Sequence, residues 1–294
     1  MVLPSLTRRQ FLRYGTRLAV VGLAGKGFYN TTSYGIELTR VPVTLPNLPP
    51  VFKGFKIALL SDIHSSFIVS KGLIAEAARL AMGENPDLIV LGGDFISGET
   101  KLLSSSVGGF DRKYLDQCIE AFSTLEAPMG IFGVLGNHEF WSGEEALGVI
   151  TEEFSKRLGV RWLRNESTAL KKGDDKIDLL GIDDYWHGGS IIEAMKGVDE
   201  EGVRVLLSHN PDVNEEIDLL KERVDLVLSG HTHGGQICLP FFGAPFIPSN
   251  SGQKYRAGLV RDGERQTYIT RGVGNLLAPI RLNALPEVAV VELG

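Results

Sequence analysis

The sequence predicts an α/β protein in which helices cover the faces of a sheet. Three observations carry that expectation. From Phe55 onward, short apolar runs alternate with stretches of helical periodicity. The 294 residues are 43% hydrophobic and 22% charged, so the chain can bury a sizeable core and is unlike a disordered or fibrous one. The two cysteines cannot build a disulfide framework, so the fold must rest on its core.

Residues 1–30 stand apart. Thr7-Arg8-Arg9-Gln10-Phe11-Leu12-Arg13 is followed by an apolar run from Leu18 to Gly25. That run is far short of the roughly 20 residues a spanning helix needs. A basic segment leading a modest apolar one has the layout of an export signal, and paired arginines before Phe-Leu resemble the twin-arginine type. No Ala-x-Ala cleavage site follows, so residues 1–30 read as a signal or a retained membrane anchor. Export by the twin-arginine machinery would put the rest at the outer face of the cytoplasmic membrane, in the periplasm or in the cell wall.

The elements then follow in order. Asn30 to Gly35 reads as a polar linker. Ile36–Leu45 alternates apolar and polar residues as a half-buried strand does, and Pro46–Pro50 ends it. Strands are expected at Lys56–Ser61, Asp87–Gly92 and Gly130–Leu135, and helices at Ser70–Gly83, Asp111–Leu125 and Glu144–Leu158. Leu73, Ile74, Ala77, Ala78 and Ala81 share one face of the first helix; Tyr114, Leu115, Cys118, Ile119 and Phe122 share one face of the second. Asp178–Gly181, Val203–Ser208 and Asp225–Ser229 continue the strands, and Ala257–Val260, Arg265–Thr270 and Glu287–Leu293 form a strand-rich tail. No internal repeat interrupts residues 31–294, which read as one domain.

Charge is divided unevenly. Residues 1–30 carry five basic residues and no acidic one, leaving 25 basic against 36 acidic residues, or −11, in the remainder. An acidic body lacks the basic face that nucleic-acid binding requires. A monomer is expected.

Five polar motifs each follow an apolar run: Ser61-Asp62-Ile63-His64, Gly92-Gly93-Asp94, Gly136-Asn137-His138-Glu139, Ser208-His209-Asn210-Pro211 and Gly230-His231-Thr232-His233-Gly234-Gly235. Ligands in open α/β sheets bind beyond the carboxyl ends of strands. Five strands would therefore deliver Asp, His and Asn to one edge. Imidazole and carboxylate suit manganese, zinc or iron, and the lack of thiolate argues against soft metals.

This constellation resembles the calcineurin-like metallophosphoesterases, whose pattern is Asp-x-His, Gly-Asp, Gly-Asn-His-(Asp or Glu), His and Gly-His-x-His. The resemblance spans roughly residues 36–294. It is nearest the bacterial YkuE/YaeI-like phosphodiesterase branch, through Gly230–Gln236, Pro240, Lys254-Tyr255 and Pro286-Glu287. It implies a two-sheet β-sandwich flanked by helices, in four layers α/β/β/α, over residues 31–294. By position, it implies that Asp62, His64 and His233 hold one divalent metal ion, that Asn137, His209 and His231 hold a second, and that Asp94 bridges both. Two such ions bring +4 and only Asp62 and Asp94 offset it, which leaves positive charge for a phosphate. The implied reaction is attack on a phosphoester, a phosphodiester first, by hydroxide formed on the metals, so no serine or cysteine nucleophile is required. His138 would be the catalytic residue, protonating or stabilising the leaving oxygen.

Other residues invite weaker readings. Glu139 is expected to hydrogen-bond a neighbouring ligand residue rather than bind metal. His187 is expected in a surface loop with packed aromatics, Arg271 in a turn paired with carboxylates, and Phe140 and Trp141 in ordinary packing. Cys118 should be core, with no disulfide to Cys238. Phe241–Pro248 is expected to be a packed loop rather than a membrane-facing lip. Two other functions fit the same motifs: a UDP-2,3-diacylglucosamine pyrophosphatase of lipid A synthesis, which would need a cytoplasmic site, and a non-catalytic metal-binding scaffold. The substrate could be envelope- or lipid-linked.

Overall fold

The computed structural model describes residues 7–33, 35–97 and 111–294. The first sheet contains β1 (Glu37–Val43), β2 (Phe55–Leu60), β3 (Leu88–Leu91), β4 (Ile131–Gly133), β5 (Val160–Trp162) and β12 (Glu287–Leu293), in the order β1-β12-β2-β3-β4-β5. The second contains β6 (Glu166–Lys172), β7 (Asp175–Gly181), β8 (Arg204–Leu207), β9 (Leu226–Ser229), β10 (Gly258–Asp262) and β11 (Arg265–Ile269), in the order β10-β11-β9-β8-β7-β6. β2, β3, β4 and β5 run parallel, as do β7, β8, β9 and β11. Both sheets are therefore mixed.

Period-two alternation explains the layering. In β2 and β3, Ile57, Leu59, Leu88 and Val90 face the core shared by the two sheets, while Ala58, Leu60, Ile89 and Leu91 face helices. In β8 and β9, Val205, Leu207, Leu226 and Leu228 enter the same shared core, and Leu206 and Val227 face outward onto a third cluster. Strands apolar on both faces need cover on both, which helices provide. α2 (Lys71–Met82), α3 (Arg112–Ala121) and α5 (Glu144–Leu158) cover the first sheet; α6 (Ile191–Ala194) and α7 (Val213–Leu220) cover the second. The result is the expected α/β/β/α arrangement.

The N-terminal segment departs from expectation. α1 (Arg8–Ser33) is one helix that runs through the apolar segment and most of the expected linker, residue 34 of which lies outside the described residues. Thr7 and Gln10 close its start as a capping box: the Thr7 backbone N–H donates to Gln10 Oε1 at 3.0 Å, and Gln10 N–H donates to Thr7 Oγ1 at 3.3 Å. No described helix is long and apolar enough to cross a membrane. β5, β6, α4 (Asn137–Trp141), α6 and α7 had no counterpart in the sequence reading. β6 is a polar edge strand whose Leu170 alone is buried, so it lacks the apolar run that marks the inner strands. Both cysteines are free, and Cys118 is buried on the helix face predicted for it.

Candidate metal centre

The carboxyl ends of the parallel strands in both sheets open on the same edge, and the polar motifs meet across the seam. Asp62 and His64 follow β2, Asp94 follows β3, and Asn137 and His138 open α4 after β4. His209 follows β8, and His231 and His233 follow β9. All eight side chains are buried, the most accessible being His138 at 6%.

The backbone turns sharply to place them. Asp62, His64, Asp94, His231 and His233 all adopt positive φ, between 47° and 70°. Non-glycine residues there are strained by about 1–3 kcal/mol each, and such strain clusters at functional sites. Close approach of the loops requires glycine beside them. Gly93 has φ 93°, and a Cβ on it would stand 2.6 Å from the Gly136 nitrogen. The two loops are then laced by Glu139, which accepts from the backbone N–H groups of Asp94 (2.9 Å), Phe95 (2.8 Å) and Gly136 (2.9 Å). Burial, reinforced by the Asp94 charge, pushes the Glu139 carboxyl up to about 8 despite those donors. As expected, Glu139 hydrogen-bonds a proposed ligand residue, holding the loop that carries Asp94.

Two groups form. In one, His64 Nε2 lies 3.0 Å from His233 Nε2, which lies 3.3 Å from Asp62 Oδ1. In the other, His209 Nε2 lies 3.1 Å from Asp94 Oδ2 and 3.2 Å from His231 Nδ1. Asp94 Oδ2 is also 3.5 Å from His64 Nε2, so this carboxylate stands between the groups. The ligand atoms of Asp62, His64 and His233, and those of Asp94, His209 and His231, lie within 4.8 Å of one another. A third such triad joins His64, Asp94 and His138.

The chemistry of this donor set fits cations. His209 donates its Nδ1 hydrogen to the Gly92 carbonyl at 2.7 Å, which leaves the Nε2 lone pair facing Asp94 and His231. Lone pairs converging on a carboxylate demand a proton or a metal between them. Without metal, burial disfavours charge on His209, but Asp94 and then Asp62 overcome it and raise the imidazole to about 10. Burial first, then neighbouring cationic groups, hold His64 and His233 well below the usual histidine range and bring His231 to about 3. These are neutral imidazoles, the form that binds metal. Asn137 Oδ1 is buried with no hydrogen-bond partner, as befits an oxygen left for a ligand.

Residues outside the expected set complete the walls. Arg281 is wholly buried, and its guanidinium lies 3.1 Å from His233 Nδ1 while donating to the Arg271 and Ala284 carbonyls. Burial lowers it to about 9, against the pull of Asp62. An arginine between two aliphatic residues, in Ile280-Arg281-Leu282, is the signal that could have marked it. Trp141, 56% exposed, stands 4.9 Å from the His138 ring, and Trp186, 42% exposed, stands 4.7 Å from the His231 ring. Trp141 therefore corrects the ordinary packing expected of it: it is a shelf over His138. Phe140 does pack, stacked on His187, whose Nδ1 lies 2.6 Å from Asp184. Arg271 takes the paired role expected of it, 3.0 Å from both Glu37 and Glu287. Phe241–Pro248 is not a packed loop: Phe241, Phe242 and Phe246 are exposed.

Two mixed sheets under helices, with Asp, His and Asn gathered at their common strand ends, define a class of metal-dependent phosphoester hydrolases. The chain belongs to the calcineurin-like phosphoesterases, whose family model matches residues 55–235 and so encloses all eight side chains above. It is 35% identical over 295 residues to phosphodiesterase YaeI of Escherichia coli (strain K12), covering 98% of this chain and 99% of the relative. It is 32% identical over 298 residues to the metallophosphoesterase YkuE of Bacillus subtilis (strain 168), covering 98% of each. Among solved structures, a chain of GAP50, the anchor in the inner membrane complex of Plasmodium, aligns over 80% of each chain at a TM-score of 0.44 and 15% identity.

Proposed function

We propose that the chain is a phosphodiesterase of the cell envelope that works with two divalent ions, held by Asp62, His64 and His233 and by Asn137, His209 and His231, with Asp94 between them. The observation that carries this is the position of Asp94 Oδ2 between the two histidine groups. Bound ions of this kind supply Lewis acidity to phosphoryl oxygens and lower the pKa of a coordinated water to about 7.

The protein's own groups do the rest. Asp94 divides its oxygens: Oδ2 faces the histidines, while Oδ1 accepts the His138 backbone N–H at 2.9 Å and so fixes His138 beside the cluster. The Ser97 carbonyl takes a hydrogen bond from His138 Nδ1, which orients the ring and leaves Nε2 to hold a proton for the leaving oxygen. Trp141 stands beside His138 and Trp186 beside His231, so each group of the proposed centre has an apolar surface that the substituents of a diester could use. The name of the E. coli relative supports the same substrate class.

The test is a panel of mono-, di- and pyrophosphates, lipid phosphates included, run after reconstitution with manganese, zinc or iron. Bis-p-nitrophenyl phosphate should be turned over; faster cleavage of a lipid-linked pyrophosphate would replace the diester reading. Envelope location rests on Arg8-Arg9 and the apolar run after it. Replacing both arginines by lysine should leave the protein in the cytoplasm of fractionated cells, and undiminished export would remove the twin-arginine assignment.

A further inference from the structure

We propose that α1 and the loop around Phe241 form a single membrane-docking face, and that this face seats the metal edge on an anionic bilayer. Phe241, Phe242 and Phe246 are 105%, 85% and 74% exposed, and Leu277, whose neighbour Leu276 bonds Gln236 at the loop's base, is 72% exposed. Aromatic side chains offered this fully to water belong at an interface.

The loop is built to enter an apolar medium. Backbone polar groups must be satisfied before they leave water. Here Leu239 N–H donates to the Gly243 carbonyl at 2.8 Å, Gly243 N–H donates back at 3.0 Å, and Pro240 and Pro245 have no N–H to satisfy. Phe241 adopts φ 68°, a strained geometry that places its side chain at the tip. The base is anchored: Ser249 Oγ and the Asn250 N–H both donate to Asp212, at 2.6 and 2.8 Å.

The loop and α1 hang from the same segment. The Arg281 N–H donates to the Gly27 carbonyl of α1 at 3.2 Å. One residue on, Leu282 N–H donates to the Gln236 carbonyl, and Cys238 N–H donates to the Leu282 carbonyl. α1 exposes Leu18, Val20 and Val21 and carries Arg8, Arg9, Arg13, Arg17 and Lys26 with no acidic residue. Cations near an anionic surface add about fivefold each to binding, and apolar burial adds the second component that stable attachment requires. The remainder carries −11, so the net attraction to an anionic surface comes from the basic α1. The metal edge adjoins it, since Arg281 also reaches His233 and Gly235 packs on Ala244 of the loop.

The test is flotation of the full chain with vesicles of phosphatidylcholine, alone or containing phosphatidylglycerol. This readout is independent of hydrolysis, so it can fail while the catalytic reading stands. The chain should float with anionic vesicles and detach in high salt. F241S/F242S/F246S should weaken flotation about tenfold or more, with an unchanged melting temperature and unchanged turnover of a soluble diester. R8Q/R9Q/R13Q/R17Q should abolish the preference for phosphatidylglycerol. Equal flotation of the serine variant would overturn the proposal. So would phenylalanine-dependent self-association in sedimentation velocity without vesicle binding, which would assign the face to a second copy.

Discussion

Asp94 and His138 stand side by side but answer different tests. Asp94→Asn keeps the shape and removes the charge shared by both histidine groups, so metal analysis of the purified variant should show both ions depleted together. Full occupancy with normal turnover would contradict the bridging role. His138→Ala should retain most of the metal and lose activity by roughly 10²–10⁴-fold; loss of metal with the activity would make His138 a ligand instead, the role its triad with His64 and Asp94 allows. At this scale the sequence was unusually legible. Each proposed ligand is a polar residue just beyond an apolar run, and strand ends are where α/β sheets gather ligands. Arg281 was legible only as an arginine between the aliphatic Ile280 and Leu282; its contact with His233 depends on a chain reversal 48 residues away in sequence. Trp141 and Trp186 were not legible, since their place depends on two loops from different sheets meeting.

Strands and helices were readable in proportion to how much apolar surface they bury. β2, β3, β8 and β9 are covered on both faces and are legible as continuous apolar runs. Edge strand β6, with Glu166, Lys171 and Lys172, resembles a loop until its pairing with β7 is seen. The junction of β11 and β12 supplies a prediction for this scale. Glu287, the first residue of β12, accepts from the Tyr268 hydroxyl at 2.8 Å, from the Arg271 N–H at 2.8 Å and from its guanidinium at 3.0 Å. Burial would raise its carboxyl, but the charge and donors of Arg271, with the Thr39 hydroxyl, outweigh it and hold the group below the ordinary 4.5. A depressed carboxylate contributes stability that is present above the unfolded pKa and lost as pH falls through the folded one. Denaturant unfolding should therefore weaken below about pH 4.5 in the native chain. Glu287→Gln should flatten that acid limb and be about 1–3 kcal/mol less stable at neutral pH, from lost charge-assisted bonds. An unchanged acid limb would assign it to other carboxylates.

Across the whole molecule, the proposed metal centre would also be a clasp. Its side chains come from both sheets, so ions bound there should resist their separation. Exhaustive chelation should lower the melting temperature and manganese should restore it, because each occupied site adds about 2.7 kcal/mol of stability at one hundred times its dissociation constant. A melting temperature indifferent to metal would mean that the sheets gain nothing from the centre. The four-layer plan was expected only through resemblance to a family. Periodicity alone indicated strands covered by helices and could not assign strands to one sheet or two, because sheet membership is decided by pairings far apart in sequence.

β12 makes the same point in the dimension of time. It lies between β1 and β2, pairing Leu38 with Val288 and Leu59 with Ala289. A ribosome delivers residues 37–60 long before residues 287–293, and until the later strand arrives β1 has no strand partner and β2 exposes an unpaired apolar edge. Such edges invite association with other chains. The nascent chain must therefore be sheltered while more than two hundred residues are added, and a truncation that removes β12 should yield aggregates rather than a smaller enzyme. A cell that moved this protein only once folded would in effect be waiting for its last strand.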